Sequence, residues 1–405
     1  MNKGIMMGYF QHLPEEIILD ILNRLPTETV LECKSVCRTR RSLIRHPTFS
    51  KTHLHHLNHS TVESDKLGFI VLTIIIGGGR GIENCQYFEY NENHESIDRI
   101  ERLNFDLPFG WDTRILGSSN GLICLSRRLK EDKTYICNPI TREYLMLPEI
   151  VKRVGMGDGA KGFGYVPSTN EYKAVTIVSY YQGKFGETYI YTLGSGNGWR
   201  NLGEFNFRSR AYQWGHGIFV NGALYWWDHL LKMIVNFDLA EEKFCEHLSP
   251  PAPILSNSDF NDFFRPCVLD GCLCFAINLR DNGATCWDVW LLKKKDDNHG
   301  IKERDRHQSL GWSKVFRIAG ALGWNLFAVT KSYSVLTYVC NSIKINEPEA
   351  STSKAVVDFK EYYDQVFPHE NTLVSLKELG EEDTKIMESV EIAKTECQHQ
   401  PFNQL

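Results

Sequence analysis

Four histidines, His53, His55, His56 and His59, crowd one short stretch, and imidazoles at that density can ligate a metal. No cysteine or carboxylate set stands nearby to complete a coordination shell, and helix ends attract histidine anyway. Cys33 and Cys37 are one helical turn apart but lack two further ligands. Cys272 and Cys274 alternate along a strand and therefore face opposite sides. The run Gly77-Gly78-Gly79-Arg80-Gly81 sits where a phosphate loop would, yet lacks the Gly-Lys-Ser/Thr ending that places a β-phosphate and a metal. Gly155 to Gly162 includes Lys161 but again lacks the hydroxyl residue. Asn58-His59-Ser60 fits a glycosylation acceptor without an export signal to make it one. Neither a nucleophile elbow nor a Cys/His pair in a convincing context is present. The expectation is a chain with no catalytic residue, no metal and no cofactor, whose chemistry is binding.

The elements that would do the binding begin at the N-terminus. Pro14 suits the first helical position, where its missing N–H costs nothing. Glu15 and Glu16 then favour the positive end of the helix dipole. Ile17, Ile18, Ile21, Leu22 and Leu25 recur at helical period, and Pro26 stops the helix. Thr27 is a plausible cap for a short second helix. A third helix puts Val36, Cys37, Leu43 and Ile44 on one stripe and ends before Pro47. Three such helices have too little apolar surface to stand alone. The stripe is completed either by another protein or by the rest of this chain.

The rest reads as β-structure. Glycine beside a short apolar strand recurs at Gly68, Gly121, Gly164, Gly222, Gly271 and Gly323, in steps of 53, 43, 58, 49 and 52 residues. That clusters near the roughly 50-residue period of a kelch-type blade. Second strands follow at Tyr135, Tyr189, Ile234 and Trp287, separated by turn formers such as Asn138-Pro139 and Gly194 to Gly198. A four-stranded unit cannot bury both faces alone, and radial stacking solves that problem. Six units close a propeller, with five or seven, or a pair of irregular sandwiches, as alternatives.

The totals agree. A formal net charge of −5 over 405 residues argues against a nucleic-acid partner. The longest apolar run, Phe69 to Ile76, is far below the roughly 20 residues a membrane helix needs. No signal-peptide pattern opens the chain, and twelve cysteines then imply reduced thiols in cytoplasm or nucleus. From Asn346 onward 13 acidic residues stand against 5 basic ones. The stretch 377–405 reads as an acidic, disordered or partly helical tail, and Lys293 to Leu310 as a long solvated blade loop.

Specific residues carry a resemblance. Leu13-Pro14, Leu25-Pro26, Val36-Cys37, Ser42-Leu43-Ile44 and His46-Pro47-Thr48-Phe49 keep the order and spacing of an F-box. Gly117 to Leu125, Cys137 to Arg142, Gly162 to Tyr165, Gly198-Trp199-Arg200, Phe237 to Phe244 and Trp312 to Lys314 are similar to the plant F-box-associated domain. Glu370 to Leu376 resembles that family's closing strand. The chain thus resembles a plant F-box protein with a C-terminal, kelch-like F-box-associated domain. The resemblance implies an extension at 1–10, an all-α three-helix F-box at 11–58, an all-β propeller of about six blades at 65–376, and the tail.

It further implies a dock for a Skp-type adaptor and, through it, a cullin scaffold. The docking residues would be Leu13, Pro14, Ile17, Ile18, Ile21, Leu22, Leu25, Pro26, Val30, Leu31, Val36, Cys37, Arg40, Leu43 and Ile44. Arg40 stands where the family typically has Trp, and Glu28 and Glu32 where it commonly has basic residues. A charge on such a seam must snorkel or pair, so Arg40 is expected to pair with Glu28 or Glu32. The implied function is substrate recognition in an SCF-type ubiquitin ligase, with an unidentified client protein on one propeller rim. Trp111, Trp214, Trp227 and Trp324 are eligible client contacts, although core packing is their commoner role. An interaction protein that has lost docking through Arg40 is a second reading. A propeller enzyme, needing converging metal ligands or paired carboxylates, is a third.

Overall fold

In a computed structural model of the chain, the described residues are 13–388, except 61–64, 76–81, 104–112, 128–132, 181–184, 207–213, 252–263, 270, 282–283, 295–309, 320–324, 349–351 and 359–361. Four helices open the described chain, one more than expected: α1 (Glu15–Asn23), α2 (Thr27–Val36), α3 (Arg38–Ile44) and α4 (Pro47–Ser60). The supposed third stripe is split at Cys37, whose extended backbone (φ −152°, ψ 163°) ends α2 at Val36. Cys37 then caps α3, its Sγ accepting the Arg40 amide at 3.5 Å. α3 ends at Ile44, before Pro47 as expected, and Pro47 itself opens α4, because a first-position proline has no hydrogen bond to lose. Pro26, not Thr27, precedes α2 as its cap residue.

The remainder forms six sheets. Blade 1 holds β1 (Lys66–Ile75), β2 (Ile82–Asn91) and β3 (Ser96–Arg102). Blade 2 holds β4 (Thr113–Ser119), β5 (Leu122–Arg127), β6 (Thr134–Asn138) and β7 (Glu143–Met146). Blade 3 holds β8 (Met156–Val166), β9 (Glu171–Tyr180), β10 (Phe185–Thr192) and β11 (Trp199–Asn206). Blade 4 holds β12 (Ile218–Val220), β13 (Ala223–Asp228), β14 (Met233–Asp238) and β15 (Lys243–Phe244). Blade 5 holds β16 (Phe264–Leu269), β17 (Cys272–Asp281), β18 (Ala284–Lys294) and β19 (Leu310–Ala319). Blade 6 holds β20 (Asn325–Val329), β21 (Val335–Val339), β22 (Ser342–Glu347) and β23 (Thr352–Asp358). Two late strands return to the early blades: β24 (Tyr362–Pro368) pairs with β1, and β25 (Lys385–Ile386) adds a fifth strand to blade 2 beside β7.

The ring is therefore closed by the chain's own late strand, six blades in all. Closure lies one segment earlier than Glu370 to Leu376, which contains no strand. The repeat signals that fall on described residues mark successive blades but not one strand position, and Gly323 lies outside the described residues. Gly121 and Gly222 follow Asn120 and Asn221, both at positive φ (46° and 48°), in tight first-to-second-strand hairpins. Gly164 instead lies inside the inner strand β8. The glycine run 77–81 lies outside the described residues, although its flanks pair Ile75 with Ile82. Most of the 293–310 segment is likewise outside them.

Neighbouring blades fill their seams with large side chains. Trp226, Leu224 and Phe237 of blade 4 pack on Val175 and Ile177 of blade 3. Phe275 and Ile277 of blade 5 pack on Trp227 and Ile234 of blade 4. Every meander is antiparallel, so each inner strand runs in the direction of β24, and alternate connections emerge on opposite faces.

Candidate functional site

The helical head packs on the face where the inner strands end. Its core is small: Ile18, Leu22, Val30, Ile44 and Phe49 are buried, and Leu373 from far along the chain joins them. The expected docking set divides by burial. Ile18, Leu22, Val30 and Ile44 face the head's own interior. Leu13, Ile21, Leu25, Leu31, Cys37, Arg40 and Leu43 are half-buried, while Pro14, Ile17, Pro26 and Val36 are exposed. Ile17 is 47% and Val36 53% exposed, an unusual expense for apolar side chains on short structured helices. The helical period explains the partition: on α1, Ile18 and Leu22 lie one turn apart on the inner face, and Ile17 and Ile21 are each offset from them toward solvent.

Beneath the head runs a strap, residues 369–387, laid from blade 1 across blades 2 and 3. Thr27 Oγ1 donates to the Asn371 carbonyl at 2.6 Å, which is why it does not cap its helix. Asn371 Nδ2 donates to Glu28 Oε1 at 2.5 Å, and Arg99 of β3 approaches the same oxygen at 3.2 Å. Ser50 Oγ donates to Glu378 at 2.7 Å. Glu28, expected to be a partner of Arg40 or to share that role with Glu32, has partners in the strap and blade 1.

The propeller grips the strap from the other side. Asn138 Nδ2 donates to the carbonyls of Thr372 (3.0 Å) and Val374 (2.8 Å). Glu143 accepts from Ser375 Oγ (2.9 Å) and the Leu376 amide (2.7 Å). Glu381 accepts from Tyr191 Oη and the Gly194 amide. At Gly121 a Cβ would overlap Thr372 Oγ1, and at Gly194 it would overlap the Leu379 carbonyl, so both turns need glycine to let the strap lie close. The expected disordered tail is therefore ordered through residue 388: Met387 is 3% exposed, in the core shared by blades 1 and 2. Local composition is acidic, but Leu376, Leu379 and Met387 anchor it. Residues 389–405 lie outside the described residues.

Titratable groups here are structural. His53 Nε2 donates to the Leu25 carbonyl at 2.8 Å and its ring stacks on Phe49; burial lowers its pKa. His369 begins the strap, with Nδ1 2.8 Å from Ser118 Oγ, and burial pulls it down to about 4. No group of three or more His, Cys, Asp or Glu side chains is placed to hold a metal among the described residues.

Among the described residues, the exposed apolar side chains toward the opposite face include Val151, Val154, Phe185, Leu230 and Tyr362. Trp214 and Trp227 are not among them. Both are buried, and Trp214 Nε1 donates to Asp228 at 3.2 Å. Trp111 and Trp324 lie outside the described residues. No described helix is long and apolar enough to cross a membrane.

Sequence reading missed the strap contacts Asn371, Leu373 and Glu378 because their partners are more than 300 positions away. Its one local signal was the Glu370 to Leu376 segment, read by resemblance as a closing strand.

Comparison with known proteins follows the same division. Residues 10–55 match the F-box-like family and residues 82–265 the F-box associated beta propeller domain. The F-box protein At3g07870 of Arabidopsis thaliana is 29% identical over 342 residues, covering 77% of this chain and 73% of that protein. The F-box protein CPR1 of the same plant is 26% identical over 336 residues, covering 76% and 73%. Among solved structures, the Dos1 propeller aligns with 70% of this chain and 68% of its own at 11% identity and a TM-score of 0.34. The helical head is thus similar to F-box-like domains, and the propeller over residues 82–265 to F-box associated β-propellers.

Proposed function

We propose that this chain is the non-catalytic substrate receptor of an SCF-type ubiquitin ligase, working in cytoplasm or nucleus. The head docks on a Skp-type adaptor and through it a cullin scaffold. The propeller holds a client protein on the rim opposite the head, and the gain in rate comes from proximity, since a tethered lysine meets the charged conjugating enzyme at high effective concentration. The observation that carries this reading is the exposed part of the head stripe. Pro14, Ile17, Pro26 and Val36 stay outside both the head's core and the propeller, flanked by half-buried Leu13, Ile21, Leu25, Leu31, Cys37, Arg40 and Leu43. The buried members of the expected set shape that surface from within. Val151, Val154, Phe185, Leu230 and Tyr362 are the corresponding client-side candidates, presented on a kelch-like scaffold.

Binding of the full chain to a recombinant Skp-type adaptor tests the proposal. Native chain binds, and the Ile17→Asp/Val36→Asp double variant loses at least about 100-fold in affinity, roughly 2.7 kcal/mol, with an unchanged melting temperature. Absence of binding by native chain overturns it. Arg40 in the stripe favours a second reading, an interaction protein with weakened docking. Strong binding by Arg40→Trp alongside none by native chain supports that one.

A further inference from the structure

We infer that the strap, residues 369–387, is a working part of the dock: it completes the head's core and holds the head to the propeller, so that loosening it weakens adaptor binding without altering the docking surface. This rests on the docking reading above. The ring is already closed at Pro368, where β24 pairs with β1, and beyond the His369 amide, which donates to the Gly68 carbonyl at 2.9 Å, the strap leaves that ladder. It is nevertheless buried along much of its length, with Leu373 at 7%, Val374 at 5% and Leu376 at 0% exposure.

Its side chains divide as an extended chain must, successive residues pointing to opposite sides. Asn371 and Leu373 serve the head: the first bonds Glu28, and the second sits with Ile18, Leu22, Val30, Ile44 and Phe49. Thr372 and Val374 serve the propeller: the first donates to the Asn120 carbonyl at 2.8 Å, and the second joins Leu376 in the core between blades 2 and 3. A head this small is marginal by itself. A leucine borrowed from the strap is a large fraction of what holds its helices at the angles that present Ile17 and Val36. Leu373, Asn371 and Thr27 are therefore positioning residues that touch no adaptor atom.

The test uses the full chain carrying Leu373→Ala, Asn371→Ala or Thr27→Val, with two readouts. Amide hydrogen exchange in α1 to α3 is expected to accelerate about tenfold or more in Leu373→Ala and a few-fold in the other two, while blades 4 to 6 keep native rates. Affinity for a recombinant Skp-type adaptor is expected to fall in the same order, about tenfold for Leu373→Ala. If Leu373→Ala disturbs the propeller as well, Asn371→Ala and Thr27→Val carry the test, since both leave the apolar contacts in place. Native exchange in the head of all folded variants overturns the inference. So does faster exchange with undiminished adaptor affinity. If native chain binds no adaptor, the docking reading fails, while the exchange measurement still decides whether the strap braces the head.

Discussion

The head and the propeller spend their apolar residues in opposite ways. In the propeller, Trp226 is 1% and Phe275 0% exposed, each wedged into a seam between blades. In the head, Ile17 and Val36 are about half exposed, and one of six buried core residues comes from the strap. The propeller is a self-completing object because a ring leaves no unburied blade face. The head is finished from below by the strap and left open above. A surface left unfinished on a braced element is where a partner is to be sought.

The largest expected effect breaks the self-completing half. Trp226→Ala removes a buried indole whose Nε1 donates to the Lys161 carbonyl at 3.1 Å, and should cost about 3–5 kcal/mol in urea unfolding. A smaller loss tests the layer between head and propeller. His369 is buried neutral with its pKa depressed to about 4, against roughly 6.5 in an unfolded chain. Unfolded chain binds the proton first as pH falls. Stability is therefore full above about pH 6.5 and declines toward pH 4, by up to about 3 kcal/mol at roughly 1.4 kcal/mol per unit. The His369→Gln variant should show a flatter stability profile between those pH values. The smallest effect belongs to the open half: Ile17→Ser should change unfolding free energy by less than about 0.5 kcal/mol, where a cost near that of Trp226→Ala would mean Ile17 is core and erase the contrast.

Much of this division was legible in the residues. Helical period and paired Leu-Pro signals located α1 and its end, since both act over a few positions. The glycine-and-strand spacing pointed to six blades, because some first-to-second-strand hairpins, Asn120-Gly121 and Asn221-Gly222 among them, repeat one local requirement. Helix count failed at Cys37, where an extended residue interrupts one stripe without breaking its periodicity. Acidic composition suggested disorder for 377–388, yet Leu379, Glu381 and Met387 are held by residues of blades 1, 2 and 3.

By itself the sequence determined a small helical head on a ring of β-blades, since hydrophobic period, turn chemistry and strand spacing are properties of neighbouring residues. Only the tertiary structure decided which stripe residues are spent inside the head and which remain available. It alone revealed that Thr27 and Glu28 turn inward to Asn371, 344 and 343 positions away, and that Leu373 completes the head's core. Those choices depend on closing a ring that returns residues 369–387 beneath the helical head, and a contact across that distance leaves no period to read.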